Sequence, residues 1–430
     1  MQLFRANIAH FPTSSSHFSN DIVIIRDGGL LIDGKTIVAT DSFETLNKQY
    51  PLAQVQDYRG YWILPGLIDS HLHYPQTQSI ACYGEQLLSW LENYTFPTER
   101  KFTNLEHAQT IAQVFLRQLL RNGTTTGFVF SSVHKESCDA LFSAASQIDM
   151  AIVAGKVCMD RNCPDDIQDC ANSAQKDSLE LIEKWHNKGR NRYAITPRFA
   201  PTSSEAQMAA LGELAASYKD VFIQTHLSEN IDEIAWVKSL YPNASGYLDV
   251  YDQYNMVRPR AIFGHAIHLE QQEWQRLNQA RATVAFCPSS NLFLGSGLFD
   301  MQAARENNVQ VALATDVGAG TSFSMLKTYG DAYKVSQLRH SPIDPLQGFY
   351  LMTEGAAIAH QLDEEIGNLN PGTIADFIIV DPCYDELLAL RLPTDAEFSD
   401  VFFALSILGD DRAIQETWVS GQCCYNKKEA

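Results

Sequence analysis

The chemistry this sequence offers begins with His71-Leu72-His73, which closes an apolar run. Residues i and i+2 of a strand point to the same face, so both imidazoles aim at one place. Imidazole nitrogen is a favoured ligand for zinc or iron. With 12 histidines in 430 residues, such a pair arises by chance often enough that an ordinary surface or core pair is an equal reading. Other run ends add weight: His226 with Glu229 one short turn on, then His265, then Asp316. Each is an isolated polar residue ending an apolar run, and such groups are costly to desolvate without partners. Imidazoles and a carboxylate gathered around one divalent ion, with a position left for water, make a catalytic composition. The alternative is a set of unrelated solvated strand ends.

The elements that would gather these residues recur along the chain. Apolar runs at 62–73, 124–131, 151–160, 193–201, 221–229, 261–269, 283–291 and 309–318 are rich in Val, Ile, Phe and Thr and end in polar residues. Near-continuous apolar runs suit parallel strands covered on both faces. Helical patterns at 105–121, 177–186 and 205–218 lie between them, the first ending at Asn122-Gly123. This rhythm predicts an α/β fold, a (β/α)8 TIM barrel over 63–366, whose strand C-termini carry the site. The ends of the chain read differently. Residues 1–62 alternate between apolar and polar, with turns at Asp27-Gly28-Gly29 and Asp33-Gly34, and the pattern returns over 367–430. Each end alone has too few strands for its own core, so together they are expected to form a small β-sandwich domain.

Composition narrows the partners. Lys and Arg number 32 against 51 Asp and Glu, a net charge of −19, which argues against nucleic acid or an anionic membrane as partner. With 45% hydrophobic and 19% charged residues the chain can bury a large core. The longest strongly apolar stretch, around 401–408, is far short of the ~20 residues a membrane helix needs. MQLFRANIAH has no basic region followed by an apolar one, and the 9 cysteines include no CxxC pair. A cytoplasmic protein with reduced thiols is expected.

Pro65-Gly-Leu-Ile-Asp-Ser-His-Leu-His73 resembles the first-strand signature of the amidohydrolase superfamily, and His226, His265 and Asp316 follow in that family's order. Asn370-Pro-Gly-Thr-Ile-Ala-Asp-Phe377 and Trp418-Val-Ser-Gly421 resemble the β domain that these enzymes build from both ends. Within the superfamily, Gly84-Glu-Gln-Leu-Leu-Ser-Trp90, Tyr94-Thr-Phe-Pro-Thr-Glu99, Thr196-Pro-Arg-Phe-Ala-Pro201 and Gln224-Thr-His-Leu-Ser-Glu-Asn230 are similar to the guanine deaminases. That resemblance implies metal ligands His71, His73, His226 and Asp316. It implies that Gln76, Arg198, Phe199 and His265 contact a purine base, beside His226 and Asp316. Glu229 would shuttle protons, Asp316 would orient the water and His265 would sit beside the developing charge. The implied reaction is hydrolytic deamination of guanine to xanthine and ammonia, in purine catabolism, by a homodimer. Deamination or dechlorination of another N-heterocycle (8-oxoguanine, cytosine, an adenosine derivative or an s-triazine) is the alternative, with a catalytically silent scaffold beyond it. Two-metal relatives carry a bridging lysine on the fourth strand. Here 193–201 has none and offers Arg198, whose charge would repel a second cation, so one Zn2+ per chain is expected, or Fe2+ in its place.

Several positions stay open. Arg198 and Phe199 are adjacent, so both can face the pocket only at a bulge or a strand end. Trp90, Tyr94 and Phe96 suit either a pocket wall or a subunit interface. Ser289, Ser290, Gly295, Ser296 and Gly297 lack the lysine and helix start of a phosphate loop and read as a plain loop near the pocket. Lys156 reads as a solvated or packed side chain. His10, His17, His107, His186 and His360 read as ordinary, and His134 and His268 lie near the rim without an assigned role.

Overall fold

Each apolar run supplies one barrel strand. In sequence they are Leu67–His73, Thr124–Phe130, Ala151–Gly155, Arg192–Pro197, Phe222–Leu227, Ala261–His265, Thr283–Phe286 and Gln310–Leu313, and they lie side by side in that order, all parallel. The computed structural model describes residues 1–12, 18, 21–83 and 86–429; the expectations on His17, Gly84 and Glu85 fall outside the described residues. One residue from each strand fills the barrel: Ile68, Phe128, Val153, Ala194, Phe222, Ile262, Ala285 and Ala312. Two phenylalanines among alanines let this layer interdigitate, as a filled barrel requires.

The first and eighth strands are the two ends of this sheet, and the barrel closes between them at the rim. Asp316 N–H donates to His71 O at 2.9 Å and His73 N–H donates to Val317 O at 2.8 Å. Below this, the buried Asp69 carboxylate accepts from Thr315 N at 3.0 Å and Thr315 Oγ1 at 2.5 Å. The seam is therefore fastened by the residues that flank the candidate ligands.

The smaller unit is one curled seven-stranded sheet ordered Gln422–Asn426, Ile414–Val419, Phe377–Val380, Gln54–Pro65, Gln2–His10, Val23–Asp33, Thr36–Ser42. Its inner face closes on itself: the Phe4 ring meets Phe377 at 5.0 Å and Trp418 at 4.8 Å. Both ends of the chain build it, because Phe377–Val380 pairs with Gln54–Pro65. That strand carries Ile63, Leu64 and Pro65 beyond the boundary expected at residue 62. The run at 62–73 is apolar as far as Ile68 and conceals a change of sheet at Gly66, where a Cβ would come within 2.1 Å of Thr125 Oγ1. The apolar stretch at 401–408 belongs to the helix Phe398–Leu408, whose Phe398, Val401, Phe402 and Leu405 pack with Trp62, Leu64, Ile378 and Val380 in the main core. Among the described residues no helix is long and apolar enough to cross a membrane.

His360 is fully buried, its ring centroid 3.8 Å from that of Phe128 and its Nε2 2.8 Å from Ser70 Oγ. Burial holds its imidazole down to about 3. As pH falls below the unfolded value near 6.5, the unfolded chain binds a proton that the native site refuses, so stability is lost down to the native value. Each pKa unit is worth about 1.4 kcal/mol. Melting temperature is expected to fall from pH 6.5 to 4, and less steeply in His360→Gln. Parallel curves would remove His360 from the cause.

Candidate active site

The strand C-termini converge as the barrel geometry requires. His71 and His73 project from the first strand, His226 from the fifth, His265 from the sixth, and Asp316 follows the eighth. Their backbones are held in uncommon conformations: Ser228, His265 and Asp316 have φ of 49°, 68° and 51°. Such left-handed residues cluster where packing over-determines the chain, often at functional sites. Gly264 has no Cβ, and one there would come within 2.8 Å of the His71 ring. Glycine at 264 is what lets His71 lie across the barrel mouth.

The donor atoms lie close together. His71 Nε2 and His73 Nε2 are 3.4 and 3.3 Å from Asp316 Oδ1, and His226 Nε2 is 3.2 Å from His73 Nε2. Ligands bound at about 2.0–2.1 Å to one tetrahedral ion sit roughly this far apart. Protonation suits the same role. Burial depresses the imidazoles of His71, His73 (to about 4) and His226, the last helped by its histidine neighbours. Burial pushes the Asp316 carboxyl up, but His71 and His73 outweigh it and hold it well below the usual range. Neutral imidazoles beside an ionised carboxylate are the form that binds a divalent cation. His226 Nδ1 donates to Arg198 O at 2.6 Å, which leaves its Nε2 lone pair for the centre. His71 Nε2 is buried without a hydrogen-bond partner, an orphan that a metal ion would satisfy. These residues fit one divalent ion. Cys287 also lies within ligand range of His71, His265 and Asp316. Burial, reinforced by Asp316, pushes its thiol up, so it stays a neutral thiol.

Glu229 faces this centre, its Oε2 3.4 Å from His265 Nε2 and its Oε1 accepting from Ser296 Oγ at 3.2 Å. His265 Nδ1 donates to Asn291 Oδ1 at 2.9 Å, which turns its Nε2 toward Glu229 and Asp316. Burial and the Asp316 charge raise the Glu229 carboxyl to about 8. The loop carrying Glu229 is clamped from behind. Glu233 Oε2 accepts from Glu229 N at 2.9 Å and Asn230 N at 3.1 Å, and Tyr247 Oη donates to Glu233 Oε1 at 2.7 Å. Glu233→Ala would leave both buried N–H groups unmet, at about 1–3 kcal/mol each. Lower stability by chemical denaturation, with metal content retained, is the expected result; unchanged stability would mean that water or another group takes over the clamp.

A cavity opens on these residues and is lined by His73, His226, His265, Glu229 and Asp316 together with Gln76, Arg198, Phe199, Trp90, Leu91 and Leu294. Arg198 and Phe199 both line it because the fourth strand ends at Pro197 and alternation no longer applies. Trp90 is a pocket wall, its ring 4.9 Å from Tyr94, and Phe96 lies 5.6 Å beneath the Arg198 guanidinium. Of the small-residue loop, Ser296 reaches Glu229, and His268 Nε2 braces the loop through Ser296 O at 2.9 Å. Lys156 lies elsewhere, buried and paired with Asp169 at 2.5 Å, and His134 precedes the helix Lys135–Gln147 outside the pocket lining. Asp69, Glu99, Glu233 and Asn291 are the supporting residues that sequence reasoning did not single out. All are acidic or amide side chains with ordinary local spacing, and only Glu233, three residues after Asn230, carries a local signal, that of a capping box.

A model of the amidohydrolase family matches residues 62–424. The chain is 50% identical over 404 residues to a guanine deaminase of Escherichia coli strain K12, spanning 94% of this chain and 92% of that protein. Among solved structures it resembles E. coli guanine deaminase with a TM-score of 0.97 and 47% identity, over 99% of this chain and 100% of that one. It also resembles guanine deaminase from C. acetobutylicum, solved with guanine bound in the active site, with a TM-score of 0.90 and 29% identity over 99% and 100% of the two chains. With that family match spanning the whole barrel and the C-terminal strands of the smaller sheet, the chain belongs to the amidohydrolase family.

Proposed function

We propose that this chain hydrolyses guanine to xanthine and ammonia in the cavity at the barrel mouth. The observation that carries the reading is one pocket in which Glu229 and the histidine–Asp316 cluster face an amide and a guanidinium, Gln76 and Arg198. The relatives named guanine deaminases, and the similar structure with guanine in its active site, support the same substrate. The amidohydrolase family is metal-dependent, and His71, His73, His226 and Asp316 are the residues that would hold the ion. A divalent ion bound there supplies Lewis acidity that brings the pKa of a water toward neutrality.

The chain's own residues do the rest. Asp316 Oδ2, 3.8 Å from His265 Nε2, accepts a hydrogen bond from the attacking water and aims it at C2, while His265 sits beside the charge that develops there. C2 becomes electrophilic when the neighbouring ring nitrogen gains a proton. Glu229 is the group that can move it: its raised carboxyl holds a proton at neutral pH and can also release one. It gives that proton to the ring nitrogen as the water adds at C2, takes one proton from the water in exchange and passes it to the exocyclic amine. The C2–N bond breaks, ammonia leaves and the C2 hydroxyl proton returns to Glu229 as the carbonyl forms. Gln76 and Arg198 hold the polar edge of the base, while Phe199, Trp90 and Leu91 cover its faces and exclude water.

Zinc suits this mixed nitrogen and oxygen donor set, with iron as the substitute. Self-association as a dimer is supported by the exposed Leu387, Leu390, Ile407 and Leu408 near the C-terminus, and a cytoplasmic setting in purine catabolism by the free cysteines and the substrate. Ammonia release from guanine, 8-oxoguanine, cytosine, adenosine and an amino-s-triazine tests the reading. Guanine should be turned over fastest; a faster rate on any other member would reassign the substrate.

A further inference from the structure

Glu99 takes no part in these steps, yet it is 1% exposed and sits against two pocket residues. Arg198 Nη1 donates to its Oε2 at 2.8 Å and its Oε1 at 3.0 Å, and Gln76 Nε2 donates to Oε1 at 3.2 Å. All three side chains are buried, where an unpaired charge is costly and a paired one is geometrically fixed. A carboxylate only accepts hydrogen bonds, so Gln76 must turn its NH2 toward Glu99. Its Oε1 then remains for a ligand, and Gly318 leaves the room: a Cβ there would lie 2.5 Å from that oxygen. Arg198 commits Nη1 to Glu99 and keeps Nη2 and Nε as donors. Without Glu99, nothing in this cluster fixes which way the Gln76 amide faces.

We propose that Glu99 is a positioning residue that sets the hydrogen-bond polarity of the pocket, an acceptor from Gln76 beside donors from Arg198, and so selects purines with a lactam edge. A ring N–H next to a carbonyl oxygen complements that order. A ring nitrogen next to an exocyclic amine, as in adenine, inverts it and leaves buried donors and acceptors unmatched. The proposal rests on the guanine reading above.

The test uses metal-loaded wild type, Glu99→Gln and Glu99→Asp. Each is assayed for ammonia release from guanine and for competitive inhibition by hypoxanthine, which keeps the lactam edge, and by adenine, which inverts it. Melting temperature and metal content are read on the same samples. Wild type is expected to prefer hypoxanthine to adenine by about tenfold or more. Glu99→Gln is expected to narrow that preference by about tenfold and to raise KM for guanine more than it lowers kcat, with metal content unchanged. Glu99→Asp, which keeps the charge, should restore part of the preference. A wild-type preference in Glu99→Gln, or parallel loss of affinity for both inhibitors with a lower melting temperature, overturns the role. If Glu99→Gln does not fold, Glu99→Asp decides: a narrowed preference supports the role and an unchanged one overturns it. Wild type that releases no ammonia from guanine overturns the guanine reading and this inference together. Turnover of guanine with an unaltered inhibitor ratio overturns only the inference.

Discussion

Glu229→Gln protein is expected to fold, keep its metal and turn guanine over about 10²–10⁴ times more slowly than wild type, the usual loss on removing a general acid–base. The amide is close to isosteric, and its oxygen can still accept from Ser296 Oγ, so packing changes little. What is lost is the exchangeable proton. Burial and the charge of Asp316 tune the carboxyl to about 8, near neutral pH, where it can both give and take a proton. An amide can do neither at any accessible pH. Measuring kcat, KM and metal content together separates the possible causes. A fall in kcat at constant metal is the expected pattern, whereas loss of the metal would make Glu229 a ligand.

Removing the metal is expected to abolish turnover and to lower the melting temperature, and zinc or iron at one equivalent per chain should restore both. The stability change follows because the ion binds the folded donor set and not the unfolded chain. Without it, His71 Nε2 is a buried nitrogen lacking a hydrogen-bond partner. One equivalent follows from the fourth strand, Arg192–Pro197, which holds no lysine and is followed by the cation Arg198. Metal analysis with stepwise restoration reads the stoichiometry. A plateau near two equivalents would contradict the inference from the missing lysine, and full activity in metal-free protein would remove the ion from the reaction.

Much of this site was legible in the sequence, because parallel strands buried on both faces stand out and a polar residue that ends one is conspicuous. His71, His73, His226, His265 and Asp316 all follow from that pattern, and the structure brings their donor atoms to within hydrogen-bond or ligand range of one another. The supporting groups were not legible for physical reasons. Glu99 reaches Arg198 across 99 residues of chain, and Asp69 reaches Thr315 across 246, so no local spacing links them. The Arg198–Phe199 ambiguity ended only with knowledge of where the strand stops, since a break of one residue cancels the alternation rule. The change of sheet at Gly66 was hidden because an apolar run looks the same whichever sheet its residues join. The left-handed backbone at Ser228, His265 and Asp316 had no sequence signal, as none of them is glycine.

The most direct test is guanine turnover by metal-loaded wild type in 18O-enriched water. Each xanthine formed should carry one heavy oxygen, at C2, and should be matched by one ammonia. Unlabelled xanthine, release of ammonia without xanthine, or no reaction of guanine in protein holding its metal would contradict hydrolytic deamination at this site.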